Sequence, residues 1–400
     1  MRILTVNGGS SSIKFALFEE GVGSRRVLAG AVEGIGSPSP CLWFREGTPG
    51  RETRAPIAAG DHEAAVEVLM DWVQEHLPGD ALAAVGHRVV HGGAAYGMPE
   101  FVTPEMVDDL VRLSPFDPEH LPEEILLTRA FHRRFPKLPQ VACFDTEFHR
   151  DMPPVARRLA IPRRFDSLGI RRYGFHGLSY QFLMEELARL DAPLAKTGRV
   201  VLAHLGSGAS LAVVHAGQPL DTTMGFTPAA GIPMATRSGD LDPGLPRFLS
   251  RSTGMDGKAF DHMIHFESGL LGISETSSDM RELLLKSGED ERCAQAVDIF
   301  CYQIRKCIGA YAAAAGGLDA LVFSGGIGEN SPEIRARVCE GLGFLGIDLD
   351  PERNLENAGL ISSDSGRVAV RMIRTDEEMM IARSVSRLLG TTRGKMEVST

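Results

Sequence analysis

Positive charge is scarce in this 400-residue sequence. Its 42 lysines and arginines are outnumbered by 52 acidic residues, for a net charge of −10. A general nucleic-acid surface needs the opposite balance. Small anionic ligands stay open, because local arginine clusters can outweigh the global sign. No apolar run reaches the roughly 18 residues a membrane-spanning helix requires. The run from Met1 to Val6 is broken by Asn7-Gly8-Gly9-Ser10 before a signal-peptide core could form. The six cysteines form no C-x-x-C pair, and most lie among apolar neighbours, as in Val141-Ala142-Cys143-Phe144. They read as reduced, buried thiols rather than a disulfide framework. The expectation is a soluble, cytoplasmic protein with no membrane and no nucleic-acid partner. Also missing are a G-x-x-x-x-G-K-[ST] loop and a G-x-G-x-x-G opening a helix after the first strand. Their absence argues against a P-loop kinase and a Rossmann oxidoreductase.

What is present suits a globular protein, with 43% apolar and 24% charged residues. Four hundred residues exceed what one core usually serves, so two domains are expected. From Ile3 to Phe18 a β-rich run meets glycines and serines and then alternates again, the pattern of a hairpin. Val200 to Val214 repeats that order around His204-Leu205-Gly206-Ser207-Gly208, which suggests a duplicated unit. A third unit differs. Strand Ala320–Phe323 enters a glycine loop, Ser324 to Asn330, and then a helix with Ser331 as N-cap and Pro332 at its first position. Free amides and the dipole at such a point favour phosphate. Helices are expected over Asp61–His76, Ser179–Leu190 and Glu377–Leu389. Ala294–Ala315 reads as a long central helix between a sheet and a partner. Gly34–Pro40 and Gly47–Pro56 read as loops, and no low-complexity linker separates the halves.

Asn7-x-x-Ser10-Ser11-Ser12-x-Lys14 offers amides, hydroxyls and a cation suited to a polyphosphate and its metal. A polar hairpin with an ordinary glycine turn is an equally good reading of that motif alone. His87 and His91 are spaced i, i+4, but Val89 and Val90 favour a strand, so a zinc site is not expected. Together the two hairpins and the late glycine loop match the actin-like nucleotide fold, with one phosphate hairpin per domain and a late loop for the adenosine.

Over essentially its full length the sequence resembles the acetate kinases (acetate/propionate kinases). The matching segments are VNGGSSSIKF from Val6, GHRVVHGG from Gly86, FDTEFH from Phe144 and RRYGFHGLSY from Arg171. They continue with AHLGSGAS from Ala203, TMGFTPAAGIPMATRSGDLDP from Thr223, SSDMR from Ser277, FSGGIGENSPEIR from Phe323 and RTDEE from Arg374. The resemblance implies an α/β fold of two similar actin-like (ribonuclease H-like) domains, with mixed sheets around a nucleotide cleft. Their expected extents are 1–147 plus 376–400 and 148–375. It implies ATP-dependent phosphorylation of a small carboxylate, acetate first, with propionate or a longer or more polar acid as the alternative. An actin-like nucleotide-binding or assembly protein that is not a kinase is the alternative of another class.

The resemblance also implies site roles. Arg88 and Arg237 would meet the acceptor and the transferring phosphoryl group, where guanidinium forks suit developing charge. His176, and His120 from Pro118-Glu119-His120-Leu121-Pro122, would stabilise phosphoryl oxygens. Asp145, Asn7 and Glu377 offer hard oxygens to Mg²⁺ or Mn²⁺. Val90, Phe175 and Pro228 would line the acyl pocket. ATP or ADP would be held by Ser10, Ser12, Lys14, His204, Gly206, Ser207 and Gly208. Its remaining contacts would be Asp279, Met280, Arg281, Gly326, Ile327, Gly328, Glu329 and Asn330. A homodimer is implied as well. Four positions depart from the family pattern: Ser207 stands for asparagine, Glu119 for a pocket leucine, and Leu178 and Tyr180 for threonine and histidine.

Overall fold

The computed structural model describes residues 1–9, 11–19, 24–47, 50–77 and 82–397, with side chains described as far as residue 390. The chain divides into two compact units, Met1–Glu147 with Asp376–Thr400, and Phe148–Thr375.

The first unit is built on β1 (Arg2–Gly8), β2 (Ser12–Glu19), β3 (Arg25–Glu33), β4 (Cys41–Glu46), β5 (Glu52–Pro56), β6 (Ala84–Val89), β7 (Glu100–Phe101) and β8 (Gln140–Phe144). They form one sheet in the order β5-β4-β3-β2-β1-β6-β8-β7. β1 to β3 form an antiparallel meander, while β6 runs parallel to β1 and β8 parallel to β6. The second unit has β9 (Arg199–Leu205), β10 (Ala209–His215), β11 (Gln218–Thr222), β12 (Ala320–Ser324) and β13 (Ala369–Met372), ordered β11-β10-β9-β12-β13. Here too an antiparallel meander precedes two parallel strands. The inner five strands of the first sheet, β3-β2-β1-β6-β8, therefore have the plan of the second. Parallel strands covered on both faces read as continuous apolar runs. Accordingly β8 and β12 are buried at every position.

Helix His62–His76 starts where Asp61 Oδ1 accepts the Ala64 N–H at 2.9 Å. It lays Val66, Leu69, Met70 and Val73 on Leu4, Ile13 and Phe15 of the sheet. Each such side chain contributes about 1.5–3 kcal/mol on burial. Gly86 in β6 has a packing reason: a Cβ there would lie 2.5 Å from Ile381 and 2.8 Å from Val385 of the last helix. Without a side chain at Gly86, that helix packs close on β6, which brings Glu377 at its start toward Arg88.

Two sequence expectations are corrected. Gly47–Pro56 is not all loop, because Glu52–Pro56 pairs with β4 as an edge strand. Gly325–Asn330 is a short helix rather than an open loop. Its first amide is held by Glu329, whose Oε1 accepts from Gly325 N at 2.9 Å and from Thr375 N at 3.1 Å. The expected helices are present as His62–His76, Gly177–Leu190, Glu291–Ala314 and Glu377–Glu397. No helix among the described residues is long and apolar enough to cross a membrane.

Candidate active site

Parallel sheets place functional groups at the C-terminal ends of their strands. In the first unit Asn7 ends β1, Arg88 lies near the end of β6, and Asp145 follows β8. Asp145 is positioned by its own N–H, which donates to Val89 O at 2.9 Å. Its Oδ2 accepts from Arg88 Nε at 3.0 Å and Nη2 at 2.6 Å. Arg88 Nη1 reaches Asn7 Oδ1 at 3.4 Å and lies 3.6 Å from Glu124 Oε1. Burial opposes the guanidinium charge, but Asp145, Glu124 and Glu377 outweigh it and hold Arg88 protonated. Glu377, first residue of the last helix, is raised well above the carboxylate range by burial and then by Asp145.

Glu124 was missed by the sequence reading. It is 3% exposed, and its Oε2 accepts the Val90 N–H at 2.9 Å. Burial pushes its pKa up to about 8, further than the attraction of Arg88 pulls it down. A signal existed: Glu124 shares the helical stripe of Leu121, Ile125 and Thr128 and so falls on the buried face. His120 precedes that helix, with its Nδ1 2.9 Å from Asp117 Oδ1. Glu119 is half-buried beside it. Lys14 pairs in register with Asn7 across the first hairpin and is exposed, while Ser12 is half-buried. Ser10 lies outside the described residues. His87 and His91 are engaged by the Gln140 side chain and the Gly93 N–H.

Asp145 Oδ1 is buried and receives no hydrogen bond. With Asn7 Oδ1 and the Glu377 carboxylate, it gives a set of hard oxygens that fits Mg²⁺ held largely through water and phosphate oxygens. Among the described residues, no group of three or more His, Cys, Asp or Glu is arranged to enclose a metal ion by itself.

In the second unit His176 adopts a left-handed backbone, φ 58°, just before helix Gly177–Leu190. Such a conformation costs a non-glycine residue about 1–3 kcal/mol and is typical of functional sites. The turn before it is braced by buried His149, whose Nε2 lies 3.0 Å from Phe175 O. His176 stacks on His204 with ring centroids 4.3 Å apart. A Cβ on Gly208 would lie 3.1 Å from His176 Nε2 and 4.0 Å from Arg237 Nη1. The bare turn thus leaves its amides beside an imidazole and a guanidinium. The Arg237 loop is tied to that turn by Ala235 N–H, which donates to Ser207 O at 3.0 Å. Phe175 and Pro228 are buried, as is Val90 in the first unit.

A cavity of about 490 Å³ lies next to this turn, lined by Gly206, Ser207, Asp279, Met280, Arg281, Gly326, Ile327 and Asn330. Gly328 and Glu329 do not line it. Gly328 O instead accepts from Arg335, which is wholly buried and also bonded to Asn354 and Asn357. Arg335 was also missed, because an arginine in a helix is ordinarily read as surface. Asp279 caps helix Met280–Lys286 and is pulled down to about 2 by its hydrogen bonds from Arg281.

The two sheets, each with its glycine-bearing hairpin, define an actin-like ATPase fold, the class from which phosphotransferases of small substrates are drawn. The acetokinase family model matches residues 2–383. The chain is 43% identical over 392 residues to an acetate kinase of Rhodopseudomonas palustris, covering 96% of this chain and 98% of that one. It is 42% identical over 395 residues to acetate kinase 1 of Neisseria meningitidis, with 97% and 98% covered. Among solved structures it is similar to Porphyromonas gingivalis acetate kinase, TM-score 0.87, 35% identity, 97% and 99% covered. It is also similar to a propionate kinase from Francisella tularensis, TM-score 0.89, 34% identity, 96% and 98% covered. The chain belongs to the acetokinase family. It is a phosphotransferase with a carboxyl group as acceptor, using ATP and ADP as co-substrates.

Proposed function

We propose that the chain transfers a phosphoryl group reversibly and in line between ATP and acetate. The observation that carries this reading is Arg88, fixed by Asp145 beside the oxygens of Asn7 and Glu377 and two residues from Val90. An acceptor carboxylate is already ionised at neutral pH, so no base is needed. Its oxygen attacks the γ-phosphorus, the bond to the β–γ bridging oxygen breaks, and ADP leaves with that electron pair. Arg88 offsets the charge of the incoming carboxylate. Arg237 and His176 donate to the equatorial oxygens where charge develops, with His120 as a further donor. Val90, Phe175 and Pro228 are the apolar residues assigned to the acyl group. Ser12, Lys14 and the turn from His204 to Gly208 hold phosphates. Asp279, Met280, Arg281 and the segment Gly326–Asn330 hold or support the nucleoside. Asn7, Asp145 and Glu377 would hold Mg²⁺, which would supply positive charge to offset that of the phosphates.

Acetate is the first acceptor and propionate the second, the latter supported by the similarity to a propionate kinase. We assign the working form as a cytoplasmic homodimer. Helices Leu245–Thr253 and Gly257–Phe266 support this, since neither buries a residue and Phe248 is 64% exposed. Sedimentation should give twice the 43.2 kDa chain mass. The acceptor is tested by ADP release from Mg-ATP with acetate, propionate and longer acids, trapping acyl phosphate with hydroxylamine. Hydroxamate with acetate at the highest kcat/KM is expected. Product only with another acid would reassign the acceptor, and ADP without hydroxamate would refute the kinase reading.

A further inference from the structure

We propose that Tyr180 is a positioning residue which, through Ser210, fixes His176 as the neutral tautomer protonated on Nε2. The proposal rests on the reading of His176 as a donor to the phosphoryl group, and supplies what that reading lacks: a reason why the donor proton is on the correct nitrogen.

Three polar atoms form a chain inside the second unit. Tyr180 Oη lies 2.5 Å from Ser210 Oγ, and Ser210 Oγ lies 2.9 Å from His176 Nδ1. Tyr180 and Ser210 are both fully buried. Heavy-atom distances leave the direction of the chain open, but counting protons decides it. If Tyr180 donates to Ser210, the serine proton is free to go to Nδ1, and every hydrogen has an acceptor. Nδ1 is then the acceptor and the ring proton is on Nε2. If the chain runs the other way, His176 Nδ1–H donates to Ser210 and Ser210 to Tyr180. The phenol proton then has to find an acceptor in a pocket where Ser210 is the hydrogen-bond partner the geometry provides. Burying an unsatisfied donor costs about 1–3 kcal/mol. The phenol cannot escape by ionising, because burial raises its pKa. The first direction wins.

The Nε2 edge so defined is the one that faces the phosphate turn at Gly208. The neighbouring ring is arranged in parallel. Thr375 Oγ1 donates to Ser179 Oγ at 2.8 Å, which leaves the Ser179 proton for His204 Nδ1 at 2.8 Å. Ser179 and Tyr180 are adjacent on one helix and Ser210 and His204 face each other in register across β9 and β10. One helical turn and one strand pair therefore orient both stacked imidazoles. Tyr180, where the family pattern has histidine, keeps the relay in this chain by supplying a hydroxyl that is always a donor at physiological pH.

The test is a ¹⁵N–¹H spectrum of the histidine-labelled full-length enzyme, with the His176 signals assigned by their loss in His176→Ala. In the wild type Nδ1 should be pyridine-like and Nε2 pyrrole-like. In Tyr180→Phe, Ser210 can turn and accept, so the His176 signals should move toward a mixture of tautomers. kcat should then fall about tenfold with each KM changed less than about twofold. If Tyr180→Phe does not fold, Ser210→Ala removes the hydroxyl that donates to Nδ1 at a smaller cost in volume and should give the same shift. An unchanged nitrogen pattern in a folded variant, or a wild-type His176 protonated on Nδ1, would overturn the relay. A wild-type kcat in His176→Ala would instead remove His176 from the reaction, leaving the nitrogen pattern as a separate result.

Discussion

Around Arg88 the first unit buries ionisable groups: Asp145 and Glu124, 1% and 3% exposed, flank one guanidinium, with Glu377 in its field. Around His176 the second unit buries neutral groups instead, in the chains Tyr180–Ser210–His176 and Thr375–Ser179–His204. The two sheets share one strand plan, so the fold does not explain the difference. The chemistry assigned to each does. A carboxylate arrives with a full charge and must be met by a full charge held rigidly. A phosphoryl group in transfer spreads its charge over three oxygens, and oriented dipoles at a glycine turn serve it without being neutralised by it. Buried charge carries a cost in pKa and stability that the hydroxyl relays avoid.

Four substitutions break or sharpen that contrast. The largest effect is expected from Arg237→Ala, which removes a full charge from beside the Gly208 turn. kcat should fall about 10³-fold or more while ATP binding by calorimetry is retained. Unchanged turnover would place Arg237 outside the reaction. Next is Gly86→Ala, which drives a methyl into Ile381 and Val385. It should cost about 1–3 kcal/mol in urea unfolding and weaken the acceptor side more than ATP binding. Glu124→Gln tests the cost of buried charge. Its pKa is raised from 4.5 to about 8, so between those values the folded chain binds more protons than the unfolded one. Stability therefore falls as pH rises through that window. Glu124→Gln should flatten the decline by about 4 kcal/mol, read from unfolding curves at pH 5 and pH 8.5. The smallest effect is expected from Ser207→Asn, which restores a longer amide to the second phosphate turn. The KM for ATP should change by about threefold with little effect on the KM for the acceptor.

Much of this was legible in the sequence, and the parts that were not share a cause. Apolar periodicity gave both hairpins and the helices, and glycine-serine patterns marked their turns. Glu52–Pro56 was hidden because a polar edge strand lacks an alternating apolar face. Gly325–Asn330 was hidden because its helical turn depends on the Glu329 carboxylate holding the Gly325 and Thr375 amides, a contact spanning 46 residues. Glu124, Arg335 and the Tyr180 relay are buried polar groups satisfied by partners distant in sequence. Residue type alone places such groups at the surface. The departures from the family pattern were visible, but Tyr180 could be understood only once Ser210 was found beside it.

The central claim is that buried ionisable groups on the first unit serve the acceptor while oriented donors on the second, Arg237 and His176, serve the phosphoryl group. It is tested most directly by steady-state kinetics with varied acetate and saturating Mg-ATP in Arg88→Ala and His176→Ala, with folding checked by thermal unfolding. The account predicts that Arg88→Ala raises the KM for acetate at least about tenfold, and that His176→Ala lowers kcat by a comparable factor at unchanged KM. The reverse assignment, with acetate KM insensitive to Arg88 and sensitive to His176, would contradict it.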